Sequence, residues 1–180
     1  MHHFLTAGNQ VAVFDDLEKF EMSLSQGRRL LGLDVGLKRI GLALSDRGWN
    51  VATPKSVLRR KTMEKDAETI TSLALENDVC AIVCGIPLAE DGGETRTSLF
   101  IRNFAVYLDG HIHIPILLTD ERLTSFMAEE FLIADMGGSH RDTKKIVDKV
   151  AASYILQSVL DRLGEYRQIC SHQSIGGENI

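Results

Sequence analysis

The first sustained pattern along the chain is an apolar run over residues 29 to 34 that ends in Asp34-Val35-Gly36. Ile40, Leu42 and Leu44 then alternate with small residues. This predicts two strands joined by a tight turn. A third strand is expected over residues 51 to 58, where Pro54 signals an edge strand, an irregularity or an early end, because proline donates nothing to a ladder. The period then lengthens to that of a helix: over residues 63 to 77, Ile70, Leu73, Ala74 and Asn77 share one stripe. Residues 79 to 85 are continuously apolar, as suits a strand covered on both faces. Ile101, Phe104, Ala105 and Leu108 mark a second helix, from Glu94 to Gly110. A strand over 112 to 119 follows, with Pro115 near its start. A helical stretch then runs to about Met136, closed by Gly137-Gly138, and a last helix covers residues 142 to 163.

Three strands, then helix, strand, helix, strand and two helices is a mixed α/β order, with a meander feeding parallel crossovers. The expectation is one domain over residues 29 to 164, a single mixed five-stranded sheet flanked by helices. Residues 1 to 28 show no period and are expected to form a flexible or loosely docked N-terminal extension. Residues 165 to 180, with Gly176-Gly177, are expected to be a frayed C-terminal tail.

Composition changes this picture little. With 180 residues, 44% of them hydrophobic, the chain can cover both faces of a sheet. Cys80, Cys84 and Cys170 form no CxxC pair and are expected to be reduced, buried thiols in a cytoplasmic protein. No apolar stretch approaches the roughly 18 residues that span a bilayer, so no membrane partner is expected. The net charge of −5 disfavours holding nucleic acid by bulk electrostatics. Charge is local, however: Arg59-Arg60-Lys61 and Arg141 with Lys144-Lys145 cluster, while Asp15, Asp16, Glu18 and Glu21 gather in the leader.

Three carboxylates stand out. Asp34 ends an apolar strand, where open α/β sheets bind ligands, and Gly36 lets the backbone turn sharply or approach a phosphate; an Asp-Gly hairpin turn is the plainer alternative. Glu121, within Asp120-Glu121-Arg122, leaves another strand, although acids also suit the entry to a helix. Asp148 shares a stripe with Ala151, Ala152 and Ile155, the inward or border side of the last helix. There it needs a cation or a basic partner such as Lys144. If the sheet order brings these three together, they can hold one or two divalent ions. Magnesium is the expected metal, with manganese as the alternative, since all donors are hard oxygens. No histidine shows zinc-site spacing.

Four segments in order give the chain a resemblance to a known family: residues 33 to 41 (Leu33-Asp34-Val35-Gly36-Leu37-Lys38-Arg39-Ile40-Gly41), 85 to 88 (Gly85-Ile86-Pro87-Leu88), 119 to 124 (Thr119-Asp120-Glu121-Arg122-Leu123-Thr124) and 147 to 152 (Val147-Asp148-Lys149-Val150-Ala151-Ala152). Over residues 29 to 163 it resembles the YqgF family, Holliday-junction-resolvase-like nucleases linked to pre-16S rRNA. The resemblance implies a ribonuclease H-like fold, a cytoplasmic location and phosphodiester hydrolysis in ribosome maturation. It also implies Asp34, Glu121 and Asp148 as the catalytic, metal-holding acids and Lys38, Arg96 and Arg122 as phosphate contacts. Precursor rRNA is then the expected partner, with structured DNA as an alternative, and the protein is expected to be a monomer or homodimer. The competing functions are a DNA four-way-junction resolvase and a non-catalytic module binding nucleic acid or ribosomes. Leu37 stands where the family usually has a small hydroxyl residue, and Ala89-Glu90-Asp91 replaces a more neutral loop.

Overall fold

The structure, a computed structural model, describes residues 12 to 120 and 140 to 175, giving the backbone alone for 140 to 149 and 172 to 175, so the helical stretch expected to run to about Met136 and its Gly137-Gly138 closure lie outside the described residues. The elements in chain order are β1 (Val13–Phe14), α1 (Leu17–Met22), β2 (Arg29–Val35), β3 (Arg39–Ser45), β4 (Ala52–Arg59), α2 (Met63–Glu76), β5 (Val79–Ile86), α3 (Arg96–Ile112), β6 (Ile116–Asp120) and α4 (His140–Ile175). One sheet contains all the described strands in the order β1-β6-β5-β2-β3-β4. β3 is antiparallel to both its neighbours, and every other pairing is parallel.

The sheet therefore has six strands rather than the expected five. The additional one is β1, which pairs in parallel with β6 and comes from the segment expected to be a loose extension. Two residues of strand and six of helix are too short for a period to register in sequence. Burial shows why they are held: Phe20 of α1 is fully enclosed and packs edge-on against Phe14, ring centroids 6.1 Å apart.

Alternation along the strands sorts side chains into two layers. Leu31, Leu33, Val35, Ile40 and Leu42 face α2 and α3, joined by Ile70, Ile101, Phe104 and Leu108. Leu30, Ala43, Val83 and Leu117 face α1 and α4, joined by Phe20, Ile155, Leu156 and Val159. β5 lies at the centre, and all eight of its residues are buried, which accounts for its unbroken apolar sequence. β4 is an edge strand whose register slips where Ala43 meets Pro54, as the proline foretold. Asp46 holds the turn between β3 and β4 by accepting from the backbone of Gly48, Asn50 and Val51 at 3.0, 2.7 and 2.9 Å. These bonds, Val51's foremost, hold its carboxyl down at about 2.

Two helix ends differ from the sequence expectation. α3 runs two residues past Gly110 and stops at His113, which takes the left-handed conformation (φ 52°) that the sequence suggested for a glycine. β6 consequently begins only after Pro115. α4 continues to Ile175, well beyond residue 163, through a stretch expected to be frayed, and on this extension Cys170 is exposed, whereas Cys80 and Cys84 on β5 are buried as expected of all three. Arg167 explains part of this: its Nε donates to Glu21 at 3.0 Å and its guanidinium lies 4.3 Å from the centroid of the Trp49 ring.

Candidate functional site

Parallel β2, β5 and β6 end at one edge of the sheet. Leu33, Cys84 and Leu118 lie in register across these three strands. The next residue of each, Asp34, Gly85 and Thr119, therefore forms a row on the opposite face, the one α4 covers. Two strand spacings, about 10 Å, separate Asp34 from Thr119 along this row. Asp34 is half-buried, whereas Thr119 is buried and accepts from Nη1 of Arg162 at 3.4 Å. At the outer end of β6, Asp120 is exposed and pairs in register with Ile86.

α4 approaches this row because β2 carries a glycine beneath it. A Cβ on Gly32 would stand 2.8 Å from the carbonyl oxygen of Ala152 and 2.8 Å from Cβ of Leu156. Farther along α4, Arg167 lies by Trp49, whose Nε1 donates to the carbonyl of Arg28, just before β2. The helix thus runs back along β2, and its amino end rises toward the level of Asp34. Position 148 belongs to this helical backbone one turn before Ala152. Its side chain is outside the described set, as are Glu121 and Arg122 entirely. Asp34 is thus the one candidate carboxylate whose side chain is described. Among the described residues no group of three or more histidine, cysteine or acidic side chains is placed to hold a metal.

The turn after Asp34 is clamped from below. Gly36 N donates to the carbonyl of Arg39 at 2.9 Å, and a Cβ at Gly36 would press on that same oxygen at 3.0 Å. Arg60 braces the turn from β4: its backbone N donates to the carbonyl of Lys38 at 3.1 Å and its Nη1 to that of Gly36 at 3.2 Å. Its Nε donates to Asp66 Oδ2 at 3.0 Å, in an ion pair whose side chains are only 8% and 1% exposed. The guanidinium also lies 4.7 Å from the centroid of Phe100 and 5.1 Å from that of Phe104. Sequence reasoning missed this role, taking Arg59-Arg60-Lys61 as a surface cluster. A signal was present in Asp66, which stands four residues before Ile70 on the apolar stripe of α2 and so needs a buried partner.

Of the expected phosphate contacts, Lys38 is exposed at the tip of this turn and Arg96 is exposed at the first residue of α3. The acidic loop singled out in the sequence leads directly into α3 and Arg96. Glu94 at its end is neutralised by Arg102, which donates to it at 2.6 Å and to Asp15 at 3.0 and 3.1 Å. Those partners, Asp15 first, hold the guanidinium even more firmly protonated than usual.

A family model for RuvX, described as a Holliday junction resolvase, matches residues 28 to 162. A protein of Paramagnetospirillum magneticum, provisionally named a pre-16S rRNA nuclease, is 43% identical over 140 residues, covering 77% of this chain and 89% of its own. One of Jannaschia sp. with the same name is 37% identical over 160 residues, covering 87% and 99%. Among solved structures, Thermus thermophilus RuvC in complex with a Holliday junction substrate has a TM-score of 0.50 at 10% identity, covering 76% of this chain and 96% of that one. That likeness bears on the fold, which is the ribonuclease H-like one the sequence led us to expect.

Proposed function

Since the chain belongs to the RuvX family, and is by that membership a nuclease, we propose that its substrate is precursor 16S ribosomal RNA, cut near the 5′ end during ribosome maturation in the cytoplasm. The names borne by relatives that match most of the chain support this reading. The structural observation that carries it is the position of Asp34: a half-buried carboxylate at the carboxyl edge of a central strand, on the face that α4 covers, beside a turn braced by Arg60.

Asp34, Glu121 and Asp148 are the residues that would hold the metal, and an all-carboxylate donor set suits magnesium, with manganese able to replace it. Bound there, the ion would lower the pKa of a water and steady the leaving oxygen of a phosphodiester. The chain's own part is positioning. β2 is hydrogen-bonded on both sides, so Asp34 stands on a rigid element. Lys38 on one side and Arg96 on the other are exposed cations suited to backbone phosphates, and Arg122 is assigned the same role by resemblance. No helix among the described residues is long and apolar enough to cross a membrane.

A second reading is resolution of DNA four-way junctions, favoured by the description of the family model. It uses the same acids but needs a symmetric dimer for paired cuts, whereas trimming of RNA can proceed in a monomer. End-labelled precursor rRNA and a DNA four-way junction, each incubated with magnesium or EDTA, separate the two. We expect metal-dependent RNA cleavage by the wild type, reduced by at least about a hundredfold in Asp34→Asn and Asp148→Asn. Cleavage of the junction alone, by a protein whose mass in solution is that of a dimer, would transfer the assignment to a resolvase. Clean protein that cuts neither substrate would make this a binding module.

A further inference from the structure

Beside the acidic edge, a cleft of about 700 Å³ opens between the β2–β3 turn, the end of β4 and α3. It is lined by Leu37, Lys38, Arg39, Arg59, Lys61 and Phe100 together with Arg60, Val57 and Met63, and no acid is among these described lining residues. We infer that this cleft holds an unpaired, single-stranded stretch of the nucleic acid next to the bond being cut, with phosphates on Lys38, Arg59 and Lys61 and a base against Leu37 and Phe100. The inference rests on the nuclease reading and adds to it the form of substrate that the enzyme grips.

Three observations carry it. The first is charge. Lys38, Arg59 and Lys61 line the one cleft together, a concentration of positive charge that suits an anion. Asp66 neutralises Arg60 beneath, but none of the described ion pairs involves Lys38, Arg59 or Lys61. The second is apolar surface where a purely ionic site would have none. Leu37 is 75% exposed at the tip of the turn, and Phe100, partly buried, is fixed by the guanidinium of Arg60. A duplex offers a cleft phosphates, sugars and the polar edges of its bases but keeps the base faces stacked inside, whereas an unpaired base brings a flat apolar face that such side chains bind.

The third is placement. Asp34, Gly41 and Val57 are in register, and Arg59 lies two residues beyond Val57 on the same face of the sheet as Asp34. Two strand spacings and two residues of rise put the Arg59 backbone roughly 12 Å from that of Asp34. A chain leaving the scissile phosphate would reach the cleft within a few nucleotides.

Binding in EDTA tests this without any cleavage. Fluorescence anisotropy compares an RNA duplex carrying a single-stranded tail with the same duplex blunt-ended, for wild type and for Arg59→Ala/Lys61→Ala. Both side chains are exposed, so the variant keeps the fold, which circular dichroism verifies. The wild type should prefer the tailed RNA. The double variant should bind it about tenfold more weakly with the blunt duplex nearly unaffected, and its salt slope should shrink by about 1.4, two single-strand phosphate contacts at 0.7 each. Arg59→Lys/Lys61→Arg should retain the slope, and Leu37→Ser should weaken the tail preference with the cations intact. Equal affinity of wild type for tailed and blunt RNA, or a tail preference that survives in Arg59→Ala/Lys61→Ala, overturns the inference. The two readings fail separately. Asp34-dependent cleavage with no effect of the cleft variants removes the cleft alone, while tail binding without cleavage of any substrate removes the nuclease assignment alone.

Discussion

Arg60 and Asp66 support the turn beside the proposed site without belonging to it. Each is buried, each is charged, and together they tie the turn after Asp34 to α2 and α3. Removing one partner leaves the other as an uncompensated buried charge, which typically costs about 3–5 kcal/mol, whereas replacing both leaves no such charge. Arg60→Met should therefore be strongly destabilising in urea melts. Arg60→Met/Asp66→Asn should recover more than half of the loss, because the asparagine oxygen can still accept from Lys61 N as Asp66 Oδ1 does at 3.0 Å. The double variant should nonetheless cut substrate more slowly than wild type, since the carbonyl of Gly36 has lost its brace. Full activity at recovered stability would show that the clamp serves the fold and not the site. The residues of the proposed site and of its support were legible unevenly. Asp34 stood out because an acid ending an apolar strand is conspicuous, whereas Arg60 was concealed by exposed basic neighbours on both sides. Glu121, Arg122 and the side chain of Asp148 lie outside the described residues, so their part in the site rests on the resemblance and on strand-end and helix-stripe reasoning.

At the scale of elements, period and punctuation located most of the sheet. The all-apolar run of β5 announced a central strand, and Pro54 announced an edge. What failed were the ends set by tertiary contact: a histidine closes α3 in place of a glycine, and α4 extends where Arg167 finds Glu21 and Trp49. The close approach of α4 to β2, by contrast, follows from small residues on both. Gly32 of β2 lies under Ala152 of α4, itself fully buried, so the helix rests directly on the strand. Gly32→Ala should push the two apart: backbone and a Cβ stand 2.8 Å away, and neither is the mobile end of a long side chain. Overpacking of this kind costs about 1–3 kcal/mol. Since the same helix carries position 148 toward Asp34, the displacement should also lower the cleavage rate by more than the loss of folded protein explains. Chemical denaturation and turnover on one preparation separate the effects, and unchanged turnover per folded molecule would detach α4 from the proposed catalysis.

On the whole molecule the first and last described helices meet. α1 and the last turns of α4 hold each other through Glu21 and Arg167, Asp15 of the leader reaches Arg102 on α3, and β1 covers the outer edge of β6. None of this could be seen along the sequence, because each piece is shorter than the window in which a period shows and its partner lies more than eighty residues away. We therefore propose that residues 12 to 28 are part of the folded unit. Burial makes the strongest case: Phe20 is 0% exposed among Leu30, Leu117 and Leu163, and truncating such a phenylalanine costs about 3–5 kcal/mol. For a domain of this size that corresponds to a fall in Tm of roughly 10 °C. Phe20→Ala should show it by calorimetry, while Lys19→Ala, exposed on the same short helix, should leave Tm unchanged. Deleting residues 1 to 25 should do more, since it also strips β1 from β6 and presents a new open edge, where strands of other copies can pair. Light scattering on warming should rise earlier for the deletion than for Phe20→Ala. If both proteins instead melt like the wild type, the leader is a passenger on the sheet and not a part of it.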